Sequence, residues 1–209
     1  MQRDSRISEA VIRRLPKYYR YLMDMEKNGV QRISSRELSN RMGLTASQIR
    51  QDFNCFGGFG QQGYGYHVSD LCAEIRRILG LDKQCNVIII GAGNLGQALA
   101  NYVGFEREGF SIKGMFDVNP RLIGLAIRGI QIYDIDILEE FIVDNDIKMG
   151  VICTPKDHAQ KVTDRMVKSG IKSIWNFAPI DAEVPEDVAL ENVHLSESLY
   201  TLSYKMNDI

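Results

Sequence analysis

Three glycines and one acid carry the clearest chemical signal in this chain. Gly91, Gly93 and Gly96 stand in the run GAGNLG, directly after the apolar stretch Val87 to Ile90. Asp117 closes a second predicted strand, Ile112 to Phe116. A pyrophosphate is held by backbone N–H groups with no side chain in the way. Gly91 supplies the tight turn, Gly93 the close approach of the phosphates, and Gly96 the close packing of helix on strand. A helix starting near Asn94 and Leu95 turns its positive end and free N–H groups toward the phosphates. A carboxylate at the end of the second strand accepts both adenosine ribose hydroxyls and repels a 2′-phosphate. The spacing therefore predicts NAD(H) in preference to NADP(H), with Arg121 the nearby cation that speaks against it. The competing reading is a domain of the same shape that serves another nucleotide or has lost its ligand.

A second constellation lies upstream. Ser47, Gln48, Arg50, Gln51 and Asn54 fall on one side of a short helix whose other side carries Ile49 and Phe53. Arginine can grip guanine with two hydrogen bonds, glutamine and asparagine can grip adenine, and serine can meet a phosphate or a base edge. The plainer reading is the polar outside of a small helical bundle. The segment from Gly57 to Tyr66 favours the first. Its glycines allow tight turns, and Phe59, Tyr64 and Tyr66 can pack beneath a β-hairpin. A hairpin after a recognition helix is a wing, which would lay Gln62 and Tyr64 along DNA.

These residues need elements to hold them. Residues 8–27 show helical periodicity through Ile12, Leu15, Tyr19, Leu22 and Met25, with Pro16 either kinking the helix or splitting it. Ser34 and Glu37 fit a capping box, Leu38 and Met42 bury one face, and Gly43 supplies the turn. Thr45 to Gln48 fits a second box. Ser69 or Asp70 would cap a further helix ending near Leu79-Gly80. Beyond residue 84, strands and helices alternate. A short strand and turn fall in 123–132, a helix in 135–145, and a strand from Lys148 to Cys153 ends at Thr154-Pro155. A helix over 157–169 stops at Gly170, and a strand over 171–176 ends at Phe177-Ala178. The expected architecture is α/β: a winged helix-turn-helix domain over 1–84, then a Rossmann-type doubly wound parallel sheet of about six strands over 85–192, then a C-terminal segment over 193–209.

Composition sets the outer bounds. The 209 residues are 44% hydrophobic and 25% charged, ordinary for a globular chain. The formal net charge of −2 hides an asymmetry. Residues 1–84 carry 14 Lys and Arg against 9 Asp and Glu, whereas residues 85–209 carry 11 against 18. A basic front half on an acidic back half suggests a polyanion partner for the front alone. No apolar run reaches the roughly 18 residues of a membrane helix, and the N-terminus lacks an apolar signal core, so no membrane partner and a cytoplasmic location are expected. Cys55, Cys72, Cys85 and Cys153 show no metal or CxxC spacing, so no metal site is expected and the thiols read as structural. His158 could act as an acid beside Thr154-Pro155, but it reads better as a surface residue. The nucleotide fold uses up the residues that a substrate domain would need, which argues for binding without turnover.

The runs SSRELSNRMGLTASQIRQDF, CFGGFGQQGYGY, GAGNLG with FDVNP, and IKSIWNFAPIDAEVPEDV with the following NV together resemble the Rex family of redox-sensing transcriptional repressors, over nearly the whole chain. The resemblance implies a homodimer that binds operator DNA, here an A/T-rich inverted repeat, and is released by NADH. It implies a C-terminal helix, about Ser196 to Met206, exchanged between subunits. It places Gly91, Gly93, Asn94, Leu95, Gly96 and Asp117 on the adenosine and pyrophosphate. Tyr102, Thr154, Pro155, Phe177 and Ala178 fall toward the nicotinamide. Arg20 matches an arginine that pairs with an acid in one state of the switch. In this chain the position of that acid holds His194, and the position of the aromatic residue that usually follows holds Leu195. The switch would then use other contacts and gain sensitivity to pH. Gln51 and Gln62 stand where many relatives carry a cation, which predicts a shallower salt dependence. Two rivals stay open: a small NAD-dependent oxidoreductase, and a DNA-binding regulator of another nucleotide.

Overall fold

Helix α1 (Glu9–Lys27) is the backbone of the first of two units, Met1–Asp82 and Lys83–Ile209, in the computed structural model. The structure describes residues 7–57, 59 and 64–207. Ser8 caps α1, its side chain accepting from the Val11 amide at 3.4 Å. Pro16 lies inside one continuous helix. The carbonyl that loses its i+4 donor belongs to Ile12, a residue that is 45% exposed. That corrects the expected apolar stripe: Val11 and Tyr18, not Ile12, join Leu15, Tyr19, Leu22 and Met25 in the core.

Helices α2 (Ser35–Met42) and α3 (Ala46–Asn54) form the expected pair. The box at Ser34 is complete: its hydroxyl accepts from the Glu37 amide at 3.1 Å, and Glu37 accepts from the Ser34 amide at 2.8 Å. Those bonds favour the charged form and hold the Glu37 carboxyl below the usual range. At Thr45 only the forward bond, from the Gln48 amide at 3.1 Å, is formed among the described residues. Gly43, at φ +67°, makes the left-handed turn that ends α2.

The wing differs from expectation. Strand β2 (Tyr66–His67) pairs antiparallel with β1 (Arg32–Ile33), which precedes the helix pair, and not with a strand inside 57–66 among the described residues. Phe59 and Tyr66 pack edge-on against Phe53, at centroid distances of 5.9 and 5.2 Å, while Tyr64 is exposed. Helix α4 (Val68–Ile78) starts earlier than Ser69 or Asp70 would set it. His67 is its N-cap, and the first amide, of buried Val68, is satisfied by the Gln31 carbonyl at 3.0 Å. Once β2 has docked on β1, no side-chain cap is needed there.

The second unit is a seven-stranded sheet in the order β5-β6-β4-β3-β7-β8-β9. Its strands are β3 (Cys85–Ile90), β4 (Phe110–Asp117), β5 (Ala126–Ile127), β6 (Ile130–Asp134), β7 (Met149–Ile152), β8 (Ser173–Asn176) and β9 (Ala189–Asn192). All the pairings are parallel except β5 with β6, a hairpin turning at Arg128-Gly129. The chain winds outward from β3 in one direction, returns, and winds outward in the other. The carboxyl ends of β3 and β7 therefore flank the switch point, where such sheets place ligands. β9 was not foreseen.

Alternate residues of β3 enter opposite cores, as strand geometry requires. Ile88 and Ile90 pack with Leu138 and Ile142 of α7 (Leu138–Asp144) and with Ala159, Val162 and Met166 of α8 (Lys156–Lys168). Val87 and Ile89 pack with Ala100 of α5 (Asn94–Ala100). A short α6 (Gly104–Arg107) follows α5. The last helix, α9 (Leu195–Met206), is exposed along its whole length, including Leu199, Leu202 and Tyr204. Among the described residues no helix is long and apolar enough to cross a membrane.

Candidate functional site

The glycine turn sits at the switch point, and each glycine answers a different constraint. Gly91 has φ +100°, and a Cβ there would meet the Cys153 carbonyl oxygen at 2.6 Å. It is therefore the backbone crossing of β3 and β7, as well as the turn, that demands glycine. A Cβ on Gly96 would stand 2.0 Å from the Gly91 oxygen, so α5 can approach the turn only there. A Cβ on Gly93 would meet nothing within 4 Å. The space it leaves is open, as an incoming phosphate requires. Asn94 is exposed and Leu95 half-buried in the first turn of α5.

Asp117 reaches back to this turn. Its Oδ2 accepts from the Ala92 amide at 2.7 Å and its Oδ1 from the Asn119 amide at 2.8 Å. A carboxylate offers about four lone-pair directions, so two remain for a pair of hydroxyls. A cavity of about 270 Å³ joins Gly91, Asp117, Val118, Thr154, Pro155 and His158. The structure thus brings Thr154 and Pro155, expected toward the nicotinamide, to the same cavity as Asp117. Thr154 Oγ1 is buried and has no hydrogen-bond partner among the described residues. An orphaned hydroxyl is costly unless a ligand supplies the partner, and a polar nucleotide would.

Tyr102 lies just past α5, exposed, with its ring 4.8 Å from Phe105. Phe105 in turn meets Trp175 at 5.8 Å, and Trp175 meets Phe177 at 4.6 Å. An aromatic row thus links two of the residues expected near the nicotinamide. Ala178 is buried, and its amide donates to Asn176 Oδ1 at 3.0 Å. Asn176, which the sequence reading passed over, is fully buried. Its Nδ2 donates to the Ile180 carbonyl at 2.8 Å and to Asn192 Oδ1 at 2.9 Å, so one amide ties the loop after β8 to the end of β9. Asn in an apolar strand was the available signal. Burial pushes the Cys153 thiol up to about 12, which leaves it protonated and inert.

In the first unit, Ser47, Arg50, Gln51 and Asn54 are exposed and Gln48 is half-buried on α3, opposite Ile49 and Phe53. Arg50 is tethered, donating to Ser35 Oγ at 3.0 Å. Arg32 of β1 donates to the Tyr64 carbonyl at 3.3 Å, joining strand and wing. Gln62 lies outside the described residues. Arg20 is exposed on α1, with its guanidinium 5.5 Å from the Tyr21 ring centroid. His194 is the N-cap residue of α9 and pairs with Asp181. Asp52, also passed over, is buried beneath α3 on Arg14 and Tyr18.

Two family models match the chain. One, described as "Putative DNA-binding protein N-terminus", covers residues 6–54. The other, described as a CoA binding domain, covers residues 82–180. A protein of Thermoanaerobacter pseudethanolicus, named Redox-sensing transcriptional repressor Rex, is 62% identical over 208 residues, covering 100% of this chain and 93% of its own. A protein of the same name from Clostridium botulinum is 62% identical over 207 residues, covering 99% of each. Among solved structures, RSP in complex with beta-NAD+ and operator DNA matches with a TM-score of 0.94 and 62% identity, over 98% of this chain and 94% of that one. RSP in complex with beta-NADH matches with a TM-score of 0.91 and 59% identity, over 98% and 96%.

Proposed function

The chain belongs to the Rex family of redox-sensing transcriptional repressors, and from that premise we propose which of its residues do the family's work. The protein is an NADH/NAD+-responsive, DNA-binding repressor whose ligand is NAD(H) and whose partner is operator DNA. As a family member it is a regulator, and we assign it no catalytic residue.

The observation that carries the residue assignment is the cavity in which Gly91, Asp117 and the orphaned Thr154 hydroxyl meet at the switch point. Asp117 holds the adenosine ribose, Gly91, Gly93 and Gly96 with Asn94 and Leu95 cradle the pyrophosphate, and Thr154 and Pro155 lead toward the nicotinamide end. Tyr102, Phe177 and Ala178 receive the nicotinamide, whose redox state is the information read. Ser47, Gln48, Arg50, Gln51 and Asn54 read bases in an A/T-rich inverted repeat, with Gln62 and Tyr64 along the backbone.

Two chains act together. The exposed apolar residues of α9 find cover by exchange with a second copy, and Arg20 with His194 takes part in the switch. The function needs no export, which suits a cytoplasmic location. NADH releases the operator only if it binds the DNA-free arrangement better than the DNA-bound one. Coupling of this kind is typically about 1–3 kcal/mol, a change of roughly 5–150-fold in DNA affinity.

The test is fluorescence anisotropy of the protein on a labelled A/T-rich palindrome, titrated separately with NADH and NAD+. Release by NADH at concentrations where NAD+ has little effect is expected. Tight DNA binding indifferent to both nucleotides would overturn NADH control and turn the search to another ligand.

A further inference from the structure

A helix can read base edges only if it is fixed in rotation about its own axis. Apolar packing of Ile49 and Phe53 holds α3 down, but the hydrophobic effect is not directional. At a side-chain radius of about 5–6 Å, a rotation of about 10° moves the tips by about 1 Å. That is enough to take a base contact outside hydrogen-bonding range.

Asp52 supplies the missing direction. It lies on α3 between the exposed Gln51 and the buried Phe53, and is only 2% exposed. Arg14 Nε donates to its Oδ2 at 2.6 Å and Arg14 Nη2 to its Oδ1 at 2.7 Å, a two-pronged fork. The Tyr18 hydroxyl donates to Oδ2 at 2.7 Å. Tyr18 is itself fully buried, its ring 4.9 Å from Phe53. Burial, with the Asp52 hydrogen bond, raises the Tyr18 hydroxyl and keeps it a donor. Both Arg14 and Tyr18 come from α1, one turn apart. Lys17 of the same helix donates to the Met42 carbonyl at 2.9 Å and holds the end of α2. A planar guanidinium fork on a carboxylate fixes orientation as well as distance. A buried ion pair is a poor way to gain stability, since apolar residues of equal volume often do as well. Orientation is what the fork adds.

We infer that the clasp of Asp52 by Arg14 and Tyr18 sets the rotation of α3 and thereby the base selectivity of the protein, which makes Asp52 a positioning residue for DNA reading. The inference rests on α3 being the recognition helix.

The experiment uses the full chain and the operator recovered by selecting from randomised duplex DNA with the wild-type protein. The double variant Arg14→Met/Asp52→Leu exchanges the clasp for apolar packing. Arg14→Lys keeps the charge and loses the fork, and Tyr18→Phe removes one donor. For each, the ratio of operator affinity to that for a repeat with one changed base pair is measured well below the thermal midpoint. NADH affinity is measured alongside. The expected result is a ratio lowered on the order of tenfold in the double variant, the cost of about one base contact, with a smaller loss in Arg14→Lys. NADH affinity stays at the wild-type value. A folded double variant with the wild-type ratio overturns the proposal. If the double variant does not fold, an unchanged ratio in both Arg14→Lys and Tyr18→Phe overturns it equally. Gln48→Ala and Gln51→Ala serve as controls. If neither alters the ratio, it is the assignment of α3 as reading helix that fails.

Discussion

His194 Nε2 stands 2.9 Å from Asp181 Oδ1, so the residue that opens the exposed helix α9 is tied to the loop after β8. The hydrogen bond to Asp181, its charge, and the charge of Glu197 raise the His194 pKa above its ordinary 6.5. A histidine raised on folding contributes stability that is fully present below the unfolded value and lost as pH rises through the folded one. The tie should therefore hold at and below pH 6.5 and weaken above it. An NMR titration of the His194 ring is expected to give a midpoint above that of a free histidine, and Asp181→Asn should lower it. A wild-type midpoint at or below the ordinary value would show that the pair does not form in solution.

The glycine turn separates structure from binding. Gly96→Ala places a methyl group 2.0 Å from the Gly91 oxygen and must push α5 away from β3. A loss of about 1–3 kcal/mol, typical of overpacking, is expected in denaturant unfolding. Gly93→Ala meets no atom within 4 Å. Its unfolding midpoint should match wild type, while its NADH affinity falls because the methyl group fills the phosphate path. Equal behaviour of the two variants in both assays would contradict this division of roles.

Asp117 accepts two backbone bonds while keeping lone pairs for a ribose. Asp117→Asn keeps the shape, removes the charge and turns one of the two oxygens that accept backbone amides into a donor. A hydrogen bond to a charged group contributes about 1.5–3 kcal/mol, so calorimetry should find NADH bound roughly 10–100-fold more weakly. NADPH, no longer repelled, should lose less. Operator binding without nucleotide should be unchanged. An unchanged NADH affinity would place the ribose elsewhere.

Where local chemistry dictates the structure, the sequence was legible. The Ser34–Glu37 box, the Gly43 turn, and the β3-turn-α5 unit with Asp117 beyond it each follow from neighbours in the chain. What escaped depends on partners far away in sequence. β1 exists because β2 comes back to pair with it. Ile12 lost its expected place in the core because the side of α1 facing α3 and α4 is set by tertiary packing, and the periodicity alone fits either stripe. Asp52 looked like one more polar residue of α3 until Arg14, 38 positions earlier, met it. Asn176 reads as the polar end of a strand, and only the return of β9 shows why it is buried.

The last prediction concerns Gln51, exposed on α3 where it can meet either a base or a phosphate. In Gln51→Lys each chain gains one cation on the exposed side of α3. If that cation meets a phosphate, log affinity should fall more steeply with log salt by about 0.9 per chain. Two chains on an inverted repeat would then steepen the slope by about 1.8. If Gln51 reads adenine, the lysine should also move preference at that position toward guanine, since lysine donates to guanine acceptors and cannot pair both edges of adenine. Anisotropy across a salt series and a set of single-base variants of the repeat separates the two effects. A steeper slope with unchanged base preference would leave Gln51 near the backbone and remove it from base reading. No change in either would mean that this position does not face DNA.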